Sequence, residues 1–248
     1  MSKIIVVVGP NGSGKSTIIN TLAAEGQNLP DLYICPDIIA KEYEEIKDEK
    51  ERYEIAMDEA ERRRREAVEQ KESFILETLA TTKEKRDFLE YAKKEGYTVE
   101  LIFVGTSDPK INLERVVKRA KEGGHNVPPE KTVSRYYKCM DVLPSLIELS
   151  DSCIIFDNSR EAPILVALKN QERGTVMLNK ELRGEWPDKY IKEPLRVSIT
   201  KDLKAAETVL FINSLEEEKN SILSFFSKQK LGRVNRKKRG GLSKEQKE

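Results

Sequence analysis

The stretch KIIVVVGPNGSGKST, residues 3–17, constrains this chain more than any other. Its first six residues are almost purely aliphatic, which reads as a short strand buried on both faces. Gly9, Gly12 and Gly14 follow at once, where the backbone turns back through conformations or close approaches that a side chain would obstruct. TIINTLAAE then has the character of a helix. The spacing Gly9-x-x-x-x-Gly14-Lys15-Ser16, set between a strand and a helix, is that of the phosphate-binding loop. The binding segment is Gly9, Pro10, Asn11, Gly12, Ser13, Gly14, Lys15, Ser16 and Thr17, whose amide groups form a nest at a helix N-terminus. In such a loop the lysine, here Lys15 and read as an exposed loop residue, reaches the β- and γ-phosphates of a nucleoside triphosphate. The Ser16 hydroxyl is the expected Mg²⁺ ligand.

Composition bounds the rest. A chain of 248 residues suffices for one large α/β domain, or for a smaller one with an appendage. Charged residues make up 35%, and no apolar run approaches the roughly 18 residues of a membrane span. The chain enters a strand directly, which leaves no room for a signal peptide. Cys35, Cys139 and Cys153 are odd in number and form no CxxC pattern, so a reducing cytoplasm is expected and a structural zinc site is not. A single histidine, His125, argues against histidine triads and multi-histidine metal centres. The net charge of +1 hides an asymmetry, since residues 228–248 carry nine basic and two acidic side chains and the remainder is acidic. Nucleic acid is therefore a partner only through the basic tail.

Strands are expected at 3–8, 32–35, 73–77, 97–104 and 152–156, alternating with helices. That pattern defines an α/β fold with a parallel sheet of about five strands flanked by helices. Residues 41–72 are mostly charged, with one thin apolar stripe of Tyr43, Ile46, Tyr53, Met57, Ala60 and Ala67, and read as one long solvated helix. Carboxylates stand three or four positions from Arg62, Arg63, Arg64 and Arg65, which makes that run a solvated face rather than a nucleic-acid patch. The domain reading is 1–172 for the nucleotide-binding unit, 173–227 for a C-terminal extension and 228–248 for a basic disordered tail. Within the extension, RGTVMLNKELRGEWPDKYI suits a strand or hairpin on the sheet edge anchored by Trp186, and 202–228 suits an amphipathic helix.

Ligands of open α/β sheets bind beyond the carboxyl ends of the strands. Asp37 lies just past the second expected strand and Glu77 ends the third. Asp37 is read either as a base for an acceptor hydroxyl or as a helix N-cap, and Glu77 either as a site residue or as a strand-end ion pair. Arg115 and Arg119 share a helix face. Gly123-Gly124 and Pro128-Pro129 bracket His125, so this helix is either a hinged flap that brings arginines onto a phosphate or an ordinary surface helix. His125 itself reads as a loop hydrogen-bonding residue. IIFDNS mimics a Walker B strand, but no glutamate follows Asp157 and no LSGGQ segment exists, which weighs against a mechanical ATPase. Asp157 and Asn158 either border the adenine side of the pocket or cap a following helix. No Asn-Lys-x-Asp guanine motif is present.

Taken together, GPNGSGKST, PDIIA, ILETLATT, RVVKRAKEGGHNVP with SRYY, and IIFDNS resemble the bacterial zeta-toxin-like P-loop kinases over about residues 1–170. The resemblance implies a kinase-type P-loop NTPase that uses ATP and Mg²⁺ and transfers the γ-phosphoryl group to a hydroxyl of a small molecule. In zeta toxins that molecule is UDP-N-acetylglucosamine. It further implies that Lys15 and Ser16 hold phosphates and metal and that Asp37 is the catalytic base. Glu77, Thr78 and Arg135 would lie at the substrate, with Arg115 and Arg119 or Arg135 on the γ-phosphate. An antitoxin-like protein is the implied macromolecular partner. One departure stands out: the toxins continue after the glutamate with a Gly-Thr-x-Arg-like segment, where this chain has Thr78-Leu79-Ala80-Thr81. Two other function classes remain open at this level, an ATP-dependent switch without transfer and a nucleic-acid end kinase served by the basic tail.

Overall fold

The structure, a computed structural model, describes residues 2–24, 27, 29–79, 82–122, 127–169, 176–178 and 186–195. Strand β1 (Lys3–Val8) is followed by α1 (Lys15–Ala24), β2 (Leu32–Ile34) and the short α2 (Pro36–Ile39), which runs into a 3₁₀ turn at Ala40–Tyr43. Then come α3 (Glu49–Glu69), β3 (Phe74–Thr78), α4 (Lys83–Lys94), β4 (Thr98–Gly105), α5 (Pro109–Lys121), α6 (Pro129–Leu149) and β5 (Ser152–Asp157). Two further strands, β6 (Ile164–Lys169) and β7 (Val176–Leu178), precede a π-helical turn at Asp188–Lys192. The strand order is β2-β3-β1-β4-β5-β6-β7. The first five strands are mutually parallel, as the sequence suggests, and β6 and β7 extend the sheet antiparallel. β6 escapes the sequence reading because a six-residue apolar run carries no periodicity that separates strand from helix.

β1 is central because both of its faces are buried. Ile4, Val6 and Val8 join a core with α3, α4 and α6, whereas Ile5 and Val7 pack against Ile18, Ile19 and Leu22 of α1. The chain leaves β1 toward β2 and β3 on one side and reaches β4 on the other, so the loop after β1 opens at the sheet's switch point. Trp186 is 6% exposed and packs against Phe103, as expected of an anchor. The expected helix at 202–228 and the tail at 228–248 lie outside the described residues, as does the Gly123–His125 segment of the flap.

The long charged helix begins later than its composition suggests. Asp48 occupies the N-cap and its side chain accepts a hydrogen bond of 2.8 Å from the Glu51 amide, so Tyr43 and Ile46 fall outside α3. Asp48→Ala should lower unfolding stability by about 1 kcal/mol in denaturant titration, whereas Asp48→Asn should leave it nearly unchanged. Three of the four consecutive arginines form the solvated ladder that the spacing implies: Arg62 pairs with Glu59 and Glu66, Arg63 with Glu59 and Glu42, and Arg65 with Glu61. Hydrogen bonds from Arg62 and Arg63 hold the Glu59 carboxyl down to about 2. A depressed carboxyl stabilises the fold above its ordinary pKa of 4.5, and that contribution is lost as pH falls toward 2. Arg64 departs from its neighbours. It is only 3% exposed and lies over the Phe88 ring at 4.5 Å.

Candidate active site

Two of the loop glycines adopt backbone angles that disfavour side chains, with φ of +75° at Gly12 and +97° at Gly14. Gly9 is required for another reason: a Cβ there would stand 2.2 Å from the Val104 carbonyl oxygen of β4. Side chains from distant segments then brace the loop. The Asn112 amide donates to the Asn11 carbonyl at 2.7 Å while its own oxygen accepts from the Thr106 hydroxyl. Tyr136 in turn donates to the Thr106 carbonyl at 2.6 Å. Asn158 donates through its side chain to the Ser13 carbonyl at 2.7 Å and through its amide to Gly105 at 2.8 Å. Asn112, Thr106 and Tyr136 were not singled out from the sequence, since the loop partner of Asn112 lies 101 residues away and no local pattern announces the three. Asn112→Ala should weaken ATP binding by about 1–3 kcal/mol in calorimetry, the usual cost of leaving a buried polar group unpaired.

Asp157 corrects one expectation. β5 leads through a turn into β6 rather than into a helix, so Asp157 caps none there; its carboxylate accepts from the Ser159 amide in that turn and from the Trp186 indole N–H at 2.6 Å. Lys15 corrects another. It is buried rather than exposed, and its Nζ donates to the Gly9 and Pro10 carbonyls at 2.9 and 3.2 Å.

Glu77 points its carboxylate at the start of α1. Ser16 Oγ lies 3.1 and 3.0 Å from its two oxygens, and the Tyr33 hydroxyl donates to Oε2. The strand-end ion pair considered for it is not formed among the described residues. Burial, together with the nearby Glu77 charge, pushes the Tyr33 hydroxyl far above its ordinary value and keeps it a proton donor. Asp37 is the second residue of α2, whose N-cap position belongs to Cys35, so the capping alternative is not realised. Its Oδ2 lies 3.8 Å from Arg119 Nη1, and both side chains are more than two-fifths exposed, so solvent screens the pair. From the same face of α5, Arg115 Nη1 approaches the Gly12 carbonyl at 3.5 Å.

These residues meet around two adjoining hollows. A cavity of about 190 Å³ is lined by Lys15, Asp37, Glu77, Thr78 and Arg135. A second, of about 850 Å³, is lined by Ser16, Asp37 and Arg119. Asp37 borders both. Arg115 lines neither and stays against the loop.

The loop fits a triphosphate. Its glycines leave the backbone uncovered, and the Ser13 hydroxyl is buried with no partner among the described residues. The oxygens of Ser16 and Glu77 form the hard donor set that Mg²⁺ prefers. By contrast, the thiols are inert. Burial pushes Cys35, Cys139 and Cys153 each up to about 12. All three should resist an aromatic disulfide reagent at pH 8 in the native state and react in full once the chain is unfolded.

A mostly parallel sheet whose central strand runs into such a loop at the switch point defines a P-loop NTPase of the kinase type. The chain belongs to the zeta toxin family, which it matches over residues 2–166. An uncharacterized protein of Haemophilus influenzae is 30% identical over 139 residues, 54% of this chain and 93% of that protein. The structure of AvrRxo1-ORF1:AvrRxo1-ORF2 with ATP superposes with a TM-score of 0.59 at 19% identity, covering 88% of this chain and 71% of that one. The native complex gives 0.58 at 18% identity over 72% of this chain and 61% of its own, so this chain spans less than two thirds of that protein. At these identities the likeness is one of fold.

Proposed function

We propose that this protein is an ATP-dependent phosphotransferase that moves the γ-phosphoryl group of Mg-ATP to a hydroxyl of a small molecule. The observation that supports it best is that one cavity is lined both by Lys15 of the phosphate loop and by the carboxylate of Asp37, whose pair with Arg119 is long and exposed. A site built only to hold nucleotide has no need of a base facing the space beyond the phosphates. When bound, Mg-ATP supplies the phosphoryl group and part of the charge neutralisation. Lys15 and the loop amides orient the phosphates, and Ser16 with Glu77 holds the metal side of the site. Asp37 takes the acceptor's proton onto a carboxylate oxygen as the new oxygen–phosphorus bond forms and the bond from the γ-phosphorus to the β,γ-bridging oxygen breaks, with ADP as the leaving group. Arg115 and Arg119 project from α5 toward the loop and Asp37 respectively, and Arg135 enters from α6, so cations flank the path of transfer. Thr78 and Glu77 border the acceptor side. UDP-N-acetylglucosamine is one candidate acceptor, and an antitoxin-like protein is the partner that family membership suggests.

The test is to incubate the full chain with γ-labelled ATP, Mg²⁺ and a low-molecular-weight cell extract, and to follow the label. Label in an organic phosphate ester is the expected result. Label found only in inorganic phosphate, or never released from ATP, would replace the kinase reading with that of a nucleotide-dependent switch.

A further inference from the structure

The smaller cavity extends well past the catalytic carboxylate. Tyr53, Met57, Ala60 and Arg64 line it from successive turns of α3. Tyr53 feels the charge of Asp37 and marks the reacting end. Arg64 lies eleven residues on, about 16 Å along the helix axis. At that far end Arg64 is joined by Lys85 and Thr82 from the start of α4.

This end is built at a cost that a bound anion would offset. Arg64 is 3% exposed, and its Nε has no hydrogen-bond partner among the described residues. Among the described residues its ion pair is with Glu61 at 3.5 Å, and that carboxylate is 46% exposed and shared with Arg65. Burial lowers the Arg64 pKa, and burial and the Arg64 charge together lower that of Lys85, so two cations face one another with incomplete compensation. Thr82 occupies the N-cap of α4 without a side-chain capping bond of its own, and the Glu84 carboxylate accepts from the Thr82 hydroxyl and from the Glu84 amide, so that helix end is already paired and the subsite rests on the two cations. Glu84 of the same turn is exposed and outside the cavity lining, and with Glu61 it offsets part of the Lys85 charge. Between the two ends the wall is apolar, formed by Met57, Ala60, Leu76 and Leu79.

Resting on the kinase reading above, we infer that Arg64 and Lys85 form an oxyanion subsite for the acceptor. The acceptor is then an elongated molecule with a hydroxyl at one end and a carboxylate or phosphate at the other. A neutral sugar or polyol can accept from the Arg64 Nε–H but brings no negative charge to offset the two cations, and is selected against on that ground.

The test reads binding rather than turnover. The full chain is saturated with Mg²⁺ and a non-hydrolysable ATP analogue, so the phosphate loop is occupied, and is then titrated with inorganic phosphate in one arm and with malonate in another. The Arg64 Nε–H resonance, assigned from its absence in Arg64→Lys, should shift in at least one arm, and the arm that responds names the anion. Lys85→Met, a partly exposed change that spares the core, should weaken that response at least tenfold. An Arg64 resonance that neither anion moves, or an affinity that Lys85→Met leaves unaltered, would overturn the subsite. Failure of the analogue to bind would instead strike at the nucleotide reading, so the two failures are told apart.

Discussion

Lys15→Met should reduce phosphoryl transfer by at least about 10³-fold. Methionine keeps the unbranched stem that is buried in the loop and removes only the charge. That charge is held by the Gly9 and Pro10 carbonyls, so the amine sits inside the loop. Triphosphate must draw it away from those two acceptors, and it gains two much stronger anionic ones in exchange. The substitution therefore also removes two hydrogen bonds from the loop, and a small fall in melting temperature should accompany the loss of activity. Activity retained by a folded Lys15→Met would separate this loop from triphosphate chemistry. A variant that fails to fold would be distinguished by circular dichroism, and Lys15→Arg, which keeps the charge and can still donate to the loop carbonyls, would then carry the comparison.

How much of this was legible in the sequence depends on the range of the interaction involved. The loop and the strand before it could be read because every determinant lies within residues 3–17: the buried run, the two positive-φ glycines and the lysine. The positions of Asp37 and Glu77 were readable for a related reason, since strand ends in a parallel sheet converge wherever the strands themselves are recognised. What those carboxylates do not do was not readable. Only coordinates show that Cys35 holds the cap position in front of Asp37, and that Glu77 faces Ser16 and Tyr33 in place of a cation. The braces Asn112 and Asn158 were hidden by distance, because their loop partners are 101 and 145 residues away. Arg64 was hidden by its neighbours. In a run of four arginines the composition looks uniform, and only the orientation of α3 against α4 turns one of them inward onto Phe88.

In the proposed reaction Asp37 separates a protein that transfers phosphate from one that merely holds it. Asp37→Asn keeps the size and polarity of the side chain but cannot accept a proton, and it lies at the second position of a short helix where neither residue caps. The pair with Arg119 is long and exposed, so its loss should cost little stability. ATP affinity should hold nearly constant, because the role proposed for Asp37 is at the acceptor hydroxyl rather than at the loop amides. Transfer should drop by roughly 10²- to 10⁴-fold, the usual worth of a positioned base. The direct measurement is ATP binding by calorimetry beside the rate of ester formation on the labelled acceptor, for wild type and Asp37→Asn. The account predicts equal affinities and a collapsed rate in the variant; equal affinities with an undiminished rate would contradict it.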